Sequence, residues 1–281
     1  MRIFLIALLI FSSLQSFSQN SNKYEIFALK FADGGVIPAS EIAIGDAMND
    51  SVKDCSMIWL LKGNNGKNIL IDAGFTKNVG FMKNIKKQHP TNYISPLDAL
   101  KKVNIVPDNI TDVIITHPHA DHIDGIDLFP KAMVWMQKED YNYFVGEAWQ
   151  KNGTSKGFDK ADVTKIVAIN LDGRLILIKG DSLEIIPGLF VFTGSKHTWE
   201  SQYILADSKT DKVIIASDNI WYYYNLEHLL AIPMTFDPNA YVAAMKRMKT
   251  LVSKTELIIP GHDNLVFKKF PVVTDGVVRI R

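Results

Sequence analysis

Six consecutive residues, His117-Pro118-His119-Ala120-Asp121-His122, constrain this chain more than any other feature. Three imidazoles and a carboxylate are ligands of the kind zinc takes, and ligands this close in sequence cannot all reach one tetrahedral ion without strain. The spacing points to two ions. His117 and His119, two residues apart, can face one ion from an extended turn, while Asp121 and His122 suit a second. Two ions about 3.5–4 Å apart can hold a bridging hydroxide and stabilise both the attacking and the leaving oxygen of a hydrolysis. The competing reading, a solvated loop that happens to be rich in histidine, leaves the rest of the chain's histidine pattern unexplained.

Two ions need more than four ligands, and the ends of apolar runs are where a rigid scaffold presents them. The run Val113-Ile114-Ile115 delivers His117. His197 follows Phe190-Val191-Phe192-Thr193-Gly194, and His262 follows Leu257-Ile258-Ile259 through Pro260-Gly261. Asp218, after Ile214-Ile215-Ala216-Ser217, adds a carboxylate able to bridge the ions. His89, before Pro90 in a Lys-rich stretch, and His228, after Glu227, read as ordinary surface or core histidines.

At 281 residues with 47% hydrophobic content, one large domain is favoured over two small ones. A net charge of +1 and the lack of a dense Lys/Arg run argue against nucleic acid as a partner and favour a neutral or modestly charged small molecule. Residues 1–18 read as a secretory signal, with Arg2, the apolar run Ile3 to Phe11 and the small-x-small site Ser16-Phe17-Ser18. Its apolar part is too short to span a bilayer, so export with cleavage is expected rather than a stable membrane anchor. The mature chain is then 19–281, periplasmic or secreted. Cys55 stands alone and cannot form an intrachain disulfide; directly before Ser56-Met57-Ile58-Trp59-Leu60-Leu61 it reads as a small buried hydrophobe.

Strand-like runs are expected at Tyr24 to Phe31, ending at the Asp33-Gly34-Gly35 turn signal, and at Met57 to Leu61 and Asn68 to Ile71, a hairpin. Ser95 caps a helix reaching Val103, Gln137 to Phe144 reads as helix, and Gly146 to Lys160 reads as an exposed insertion or lid. From Val167 onward strands dominate, up to a helix over Pro238 to Leu251 with Asp237 as its cap. Strands followed by helices in both halves suggest two sheets packed face to face with helices outside.

The order His-x-His-x-Asp-His, then His197, Asp218 and Gly261-His262, resembles the metallo-β-lactamase superfamily over about Tyr24 to Phe267. The resemblance implies an α+β fold, a four-layer αββα sandwich of two mixed sheets flanked by helices. It also implies two zinc ions, one held by His117, His119 and His197, the other by Asp121, His122 and His262, with Asp218 bridging. Ile71-Asp72-Ala73-Gly74 is similar to the family's strand-end Asp-x-Gly, which makes Asp72 an orienter of a ligating imidazole.

Within the superfamily, His197-Thr198-x-x-x-Gln202, the short step to Asp218 and the Gly261-His262-Asp263 ending look like the secreted N-acyl-homoserine lactonases. The implied reaction is lactone ring opening by a metal-bridging hydroxide, with Asp121 and Asp218 as the catalytic carboxylates and Asp121 carrying a proton to the leaving oxygen. Where such lactonases carry a tyrosine three residues after the bridging Asp, this chain has Trp221, whose indole donates a hydrogen bond but cannot accept one. Tyr222, Tyr223 or Tyr224 could replace it. The run Trp221 to Tyr224, with Val36 and Ile37, is the expected wall of an acyl pocket. Other hydrolyses on the same scaffold, of β-lactams, thioesters or phosphate and sulfate esters, stay open. A redox di-iron protein is disfavoured by His119, where di-iron relatives carry an acidic residue, and a non-enzymatic zinc-binding module would not need a bridging Asp218. The residues leave the oligomeric state undetermined.

Overall fold

The computed structural model describes residues 22–45, 50–76 and 90–281; the signal-like segment and His89 lie outside the described residues. In chain order the strands are β1 (Tyr24–Pro38), β2 (Ser51–Gly63), β3 (Asn68–Ile71), β4 (Asp112–Ile114), β5 (Met133–Gln137), β6 (Leu175–Ile178), β7 (Leu183–Ile186), β8 (Leu189–Phe192), β9 (Tyr203–Asp207), β10 (Lys212–Ser217), β11 (Ile258–Pro260), β12 (Val272–Thr274) and β13 (Val277–Arg279). They form an eight-stranded sheet in the order β12-β13-β1-β2-β3-β4-β5-β6 and a five-stranded sheet in the order β11-β10-β9-β8-β7. Both sheets are mixed. β3 to β6 pair in parallel and β1, β2 and β3 antiparallel; in the second sheet β10 and β11 are parallel and the rest antiparallel.

Both faces of each sheet are covered, which explains strands that read as near-continuous apolar runs. Along β1, Phe27, Leu29 and Phe31 face a core shared with the helices Pro96–Lys101 and Lys160–Leu171, whereas Tyr24, Ile26 and Ala28 face the core between the sheets. Across from them, Ile204, Val213, Ile215 and Ile259 fill the same inter-sheet layer. On its far side the second sheet meets the helix Pro238–Leu251 through Tyr241, Ala244, Met245 and Met248, a three-four spacing that places all four on one face. Burying each of those methionines contributes about 1.5–3 kcal/mol. The result is four layers, helix–sheet–sheet–helix.

Three expectations change. β1 does not end at Phe31; it runs on to Pro38, because irregularities in the pairing with β2 between Lys30 and Ala32 and between Asp33 and Gly35 absorb the glycines without breaking the ladder. Val167 to Leu171 is not strand but the end of the helix Lys160–Leu171, whose N-cap Asp159 accepts the Ala161 N–H at 2.9 Å. The stretch 146–160 is only partly exposed: it holds a 3₁₀ turn, Glu147–Trp149, whose indole donates to the Phe144 carbonyl at 2.6 Å. Among the described residues, no helix is long and apolar enough to cross a membrane.

Candidate metal centre

Every strand that carries a candidate ligand delivers it at its C-terminal end. β4 leads to the hexapeptide, β3 to Asp72, β8 to His197, β10 to Asp218 and β11 to His262. β3 and β4 belong to the first sheet and β8, β10 and β11 to the second, so the site lies where the two sheets meet along one rim. Three residues at these ends, Asp72, Lys196 and Ser217, hold a left-handed backbone with φ of 59°, 58° and 47°. Non-glycine residues adopt this at a cost of order 1 kcal/mol, and such strain concentrates where a chain must aim side chains. Asp121 and His122 lie not in an extended turn but in the short helix Ala120–Ile123, with His119 as its N-cap.

The seven residues gather in two groups, His117, His119, His197 and Asp218, and Asp121, His122 and His262. In the first, His119 Nδ1 lies 3.1 Å from His117 Nε2 and 3.0 Å from His197 Nε2. Asp218 Oδ2 lies 3.3 Å from His197 Nε2 and 3.8 Å from His117 Nε2. In the second, Asp121 Oδ2 is 3.5 Å from His122 Nε2 and 3.6 Å from His262 Nε2. Asp218 Oδ1 is 3.2 and 3.0 Å from those same two nitrogens. One oxygen of Asp218 thus faces each group. Gly261 makes this possible, since a Cβ there would fall 2.5 Å from Asp218 Oδ1.

The outward nitrogens of four of the five rings are engaged, which sets their tautomers when neutral. His122 Nδ1–H donates to Asp72 Oδ2 at 2.8 Å, His117 Nδ1–H to the Thr116 hydroxyl at 2.9 Å, His197 Nδ1–H to the Met234 carbonyl at 2.8 Å and His262 Nδ1–H to the Cys55 carbonyl at 3.1 Å. In their neutral forms these rings present inward lone pairs to one another and to carboxylate oxygens, an arrangement that calls for protons or metal cations between them. His122 Nε2 and Asp218 Oδ1 are buried without a hydrogen-bond partner. An orphaned nitrogen and an orphaned oxygen 3.2 Å apart in the second group, beside nitrogen and oxygen donors that gather in two sets, fit metal ions.

Electrostatics separates the two groups. Burial, reinforced by the neighbouring imidazoles, holds His117 and His119 well below the usual histidine range. His262 is buried too, but Asp218, Asp54 and Asp121 outweigh the desolvation and push it up to about 10. His122 moves in the same direction under Asp218, Asp121 and Asp72. Burial works against the Asp218 carboxylate, yet His262 and His122 hold it well below the usual range. Anionic charge is thus concentrated around the second group.

Asp72 is fully buried and accepts four hydrogen bonds: from His122, from the Thr116 N–H at 2.8 Å, from the Thr116 hydroxyl at 2.9 Å and from the Ser217 hydroxyl at 2.8 Å. It ties the ends of β3, β4 and β10 together beneath the second group.

A cavity of about 360 Å³ opens beside the centre, with His119, Asp121, Asp218 and His262 on its floor. Trp221, Tyr222 and Ile37 line it, and the Trp221 indole donates to Asp218 Oδ2 at 2.6 Å. The other expected wall residues lie elsewhere. Val36 points outward at 63% exposure, because alternation along β1 turns it away from Ile37. Tyr223 is buried in the inter-sheet core, and Tyr224 packs beside Ile37 and Ile42 and against the His228 ring at 4.4 Å. His228 is exposed. Phe75, Ile42, Met234 and Asp54, none of them singled out by the sequence, complete the wall. Phe75 directly follows Asp72-Ala73-Gly74, and that adjacency was the one signal available for it. Lys156 and Gly157 close the cavity from the stretch expected to be a lid, and Gly157 lies so near the His119 ring that a Cβ would sit 2.4 Å from Cδ2.

Residues 54–262 match the profile of the Metallo-beta-lactamase superfamily, and the chain belongs to that superfamily. Among curated relatives, an N-acyl homoserine lactonase from Bacillus sp is 26% identical over 170 residues, 59% of this chain and 61% of the relative. The chain thus spans about three-fifths of the length of the curated relatives it matches. Among solved structures, a mutant of Bacillus thuringiensis AiiA with N-decanoyl-L-homoserine bound at its active site superimposes with a TM-score of 0.68 at 19% identity, covering 90% of this chain and 98% of that one. AidC, described as a dizinc quorum-quenching lactonase in complex with a hexanoyl-homoserine product, gives 0.61 at 16% identity, covering 86% and 90%.

Proposed function

We propose that this chain is a two-zinc hydrolase that opens the lactone ring of N-acyl-homoserine lactones, acting outside the cytoplasm after export. The observation that carries this reading is Asp218, which turns one carboxylate oxygen toward each of two ligand groups on the floor of a partly apolar cavity. When bound, the ions would supply an acidified water as nucleophile and Lewis acidity at the ring carbonyl. His117, His119 and His197 would hold one and Asp121, His122 and His262 the other. The chain's own groups do the rest. Asp218 fixes the separation of the two groups, and Asp121, which lines the cavity, is placed to carry a proton to the leaving ring oxygen. Trp221 steadies Asp218 through its N–H and cannot take up a proton, so it serves as wall and anchor rather than as acid or base. Ile37, Ile42, Phe75 and Met234 give an acyl chain apolar surface. The named activity of the curated relatives agrees with this choice.

The test is turnover by the purified, zinc-restored protein on acyl-homoserine lactones of several chain lengths, beside a chromogenic β-lactam. Mass gain of one water on the lactones, abolished by a chelator and regained with zinc, is expected. Turnover of the β-lactam alone would overturn the reading, as would iron with a visible absorption band in place of zinc.

A further inference from the structure

Asp54 lies on β2 at the wall of the cavity and outside the seven-ligand set. Opposite it the pairing of β1 is irregular between Asp33 and Gly35, and a Cβ at Gly34 would fall 1.6 Å from Asp54 Oδ2. Glycine at 34 is what makes room for the carboxylate. The side chain is 13% exposed. The Tyr222 hydroxyl donates to Oδ1 at 2.6 Å, while among the described residues no donor reaches Oδ2. His262 Nδ1 stands 3.7 Å from Oδ1 but gives its proton to the Cys55 carbonyl, which places Asp54 one imidazole ring away from the second ligand group.

A largely buried carboxylate at the wall of a cavity, with one oxygen taken up by Tyr222 and no donor among the described residues on the other, calls for a hydrogen-bond donor from the occupant. In an acyl-homoserine lactone the single N–H is that of the amide beside the ring. We propose that Asp54, steadied by Tyr222, accepts the amide N–H of the substrate, so that the site selects lactones bearing an amide next to the ring over lactones that lack a donor there. This rests on the lactonase reading above and names the feature by which that site chooses its substrate.

The experiment compares kcat/KM for N-hexanoyl-homoserine lactone and for its ester isostere, in which oxygen replaces the amide nitrogen. A hydrogen bond to a charged group predicts that the wild-type protein favours the amide by about 10- to 100-fold. In Asp54→Asn, whose side-chain amide can turn a donor toward the cavity, kcat/KM for the amide falls about 10-fold or more, chiefly through KM. Turnover of the isostere holds or rises, and zinc content is unchanged. Equal turnover of the two lactones by the wild type overturns the proposal. Parallel losses on both substrates, or loss of zinc from the variant, also overturn it and assign Asp54 to the support of His262. Wild-type protein that opens neither lactone refutes the lactonase reading itself, and the selectivity proposal falls with it.

Discussion

Asp72 shows how much of this centre depends on residues that would touch no ion. Replacing it with Asn leaves one acceptor oxygen and puts a donor where four donors converge, so at least one of the four loses its acceptor and the hold on the His122 N–H weakens. For Asp72→Asn we expect metal affinity to fall about 10- to 100-fold, read by chelator competition, with the fold retained. Unchanged affinity would show that His122 is oriented by packing alone. Trp221 is a second case. Trp221→Phe keeps an aromatic wall but removes the N–H held on Asp218 Oδ2. A donor lost from a charged acceptor costs about 1.5–3 kcal/mol. A drop of at least 10-fold in kcat at unaltered metal content is expected, and retention of full activity would reduce Trp221 to a wall. The hexapeptide was legible because its donors are neighbours in sequence. Asp54 was not, because a lone carboxylate in a strand carries no local marker; the bulge at Gly34 and the Tyr222 hydroxyl give it meaning only after folding.

At the scale of elements, strand ends carrying His197, Asp218 and His262 were legible from apolar runs stopped by a polar residue. The helix Lys160–Leu171 was not, since Val163, Ile166, Val167 and Ile169 are β-branched and mimic a strand, while the Asp159 cap is a weak local cue. That helix carries a titration of its own. Asp162 is fully buried with neither carboxylate oxygen hydrogen-bonded, and Lys165 stands 3.5 Å away. Burial is the largest cause lifting its pKa to about 8; Asp124 adds to it and Lys165 opposes it. Between the unfolded value near 4 and the folded value near 8, the folded state keeps a proton that the unfolded chain has released. This contribution to stability is fully present below the unfolded value and is lost as pH rises through about 8. Asp162→Asn removes the titration. Its melting temperature relative to wild type should rise between pH 5 and about pH 8 and level off above that; a constant difference between pH 5 and pH 8 would refute the assignment.

For the whole molecule, the distribution of ligands matters more than their number. Four come from the loop after β4 in one sheet and three from loops after β8, β10 and β11 in the other, so occupancy would pin the two sheets along one rim. A ligand that binds only the folded state adds about 2.7 kcal/mol when present at 100 times its dissociation constant. Stripping the metal with a chelator should therefore lower the melting temperature, and adding it back should restore the value in a concentration-dependent way, as read by scanning calorimetry. A melting temperature indifferent to chelation would mean that the rim is held by protein contacts alone, such as the Gln202 side chain donating to the Ile115 carbonyl at 2.8 Å.

Because the two oxygens of Asp218 serve different groups, the two positions are not independent vessels. If two ions share that carboxylate as proposed, the order that the first imposes would already be in place when the second arrives, and filling is expected to be cooperative. At limiting zinc, native mass spectrometry should find chains that are mostly empty or doubly loaded, with few carrying one ion. A population dominated by singly loaded chains would mean that Asp218 rearranges between ions instead of being shared.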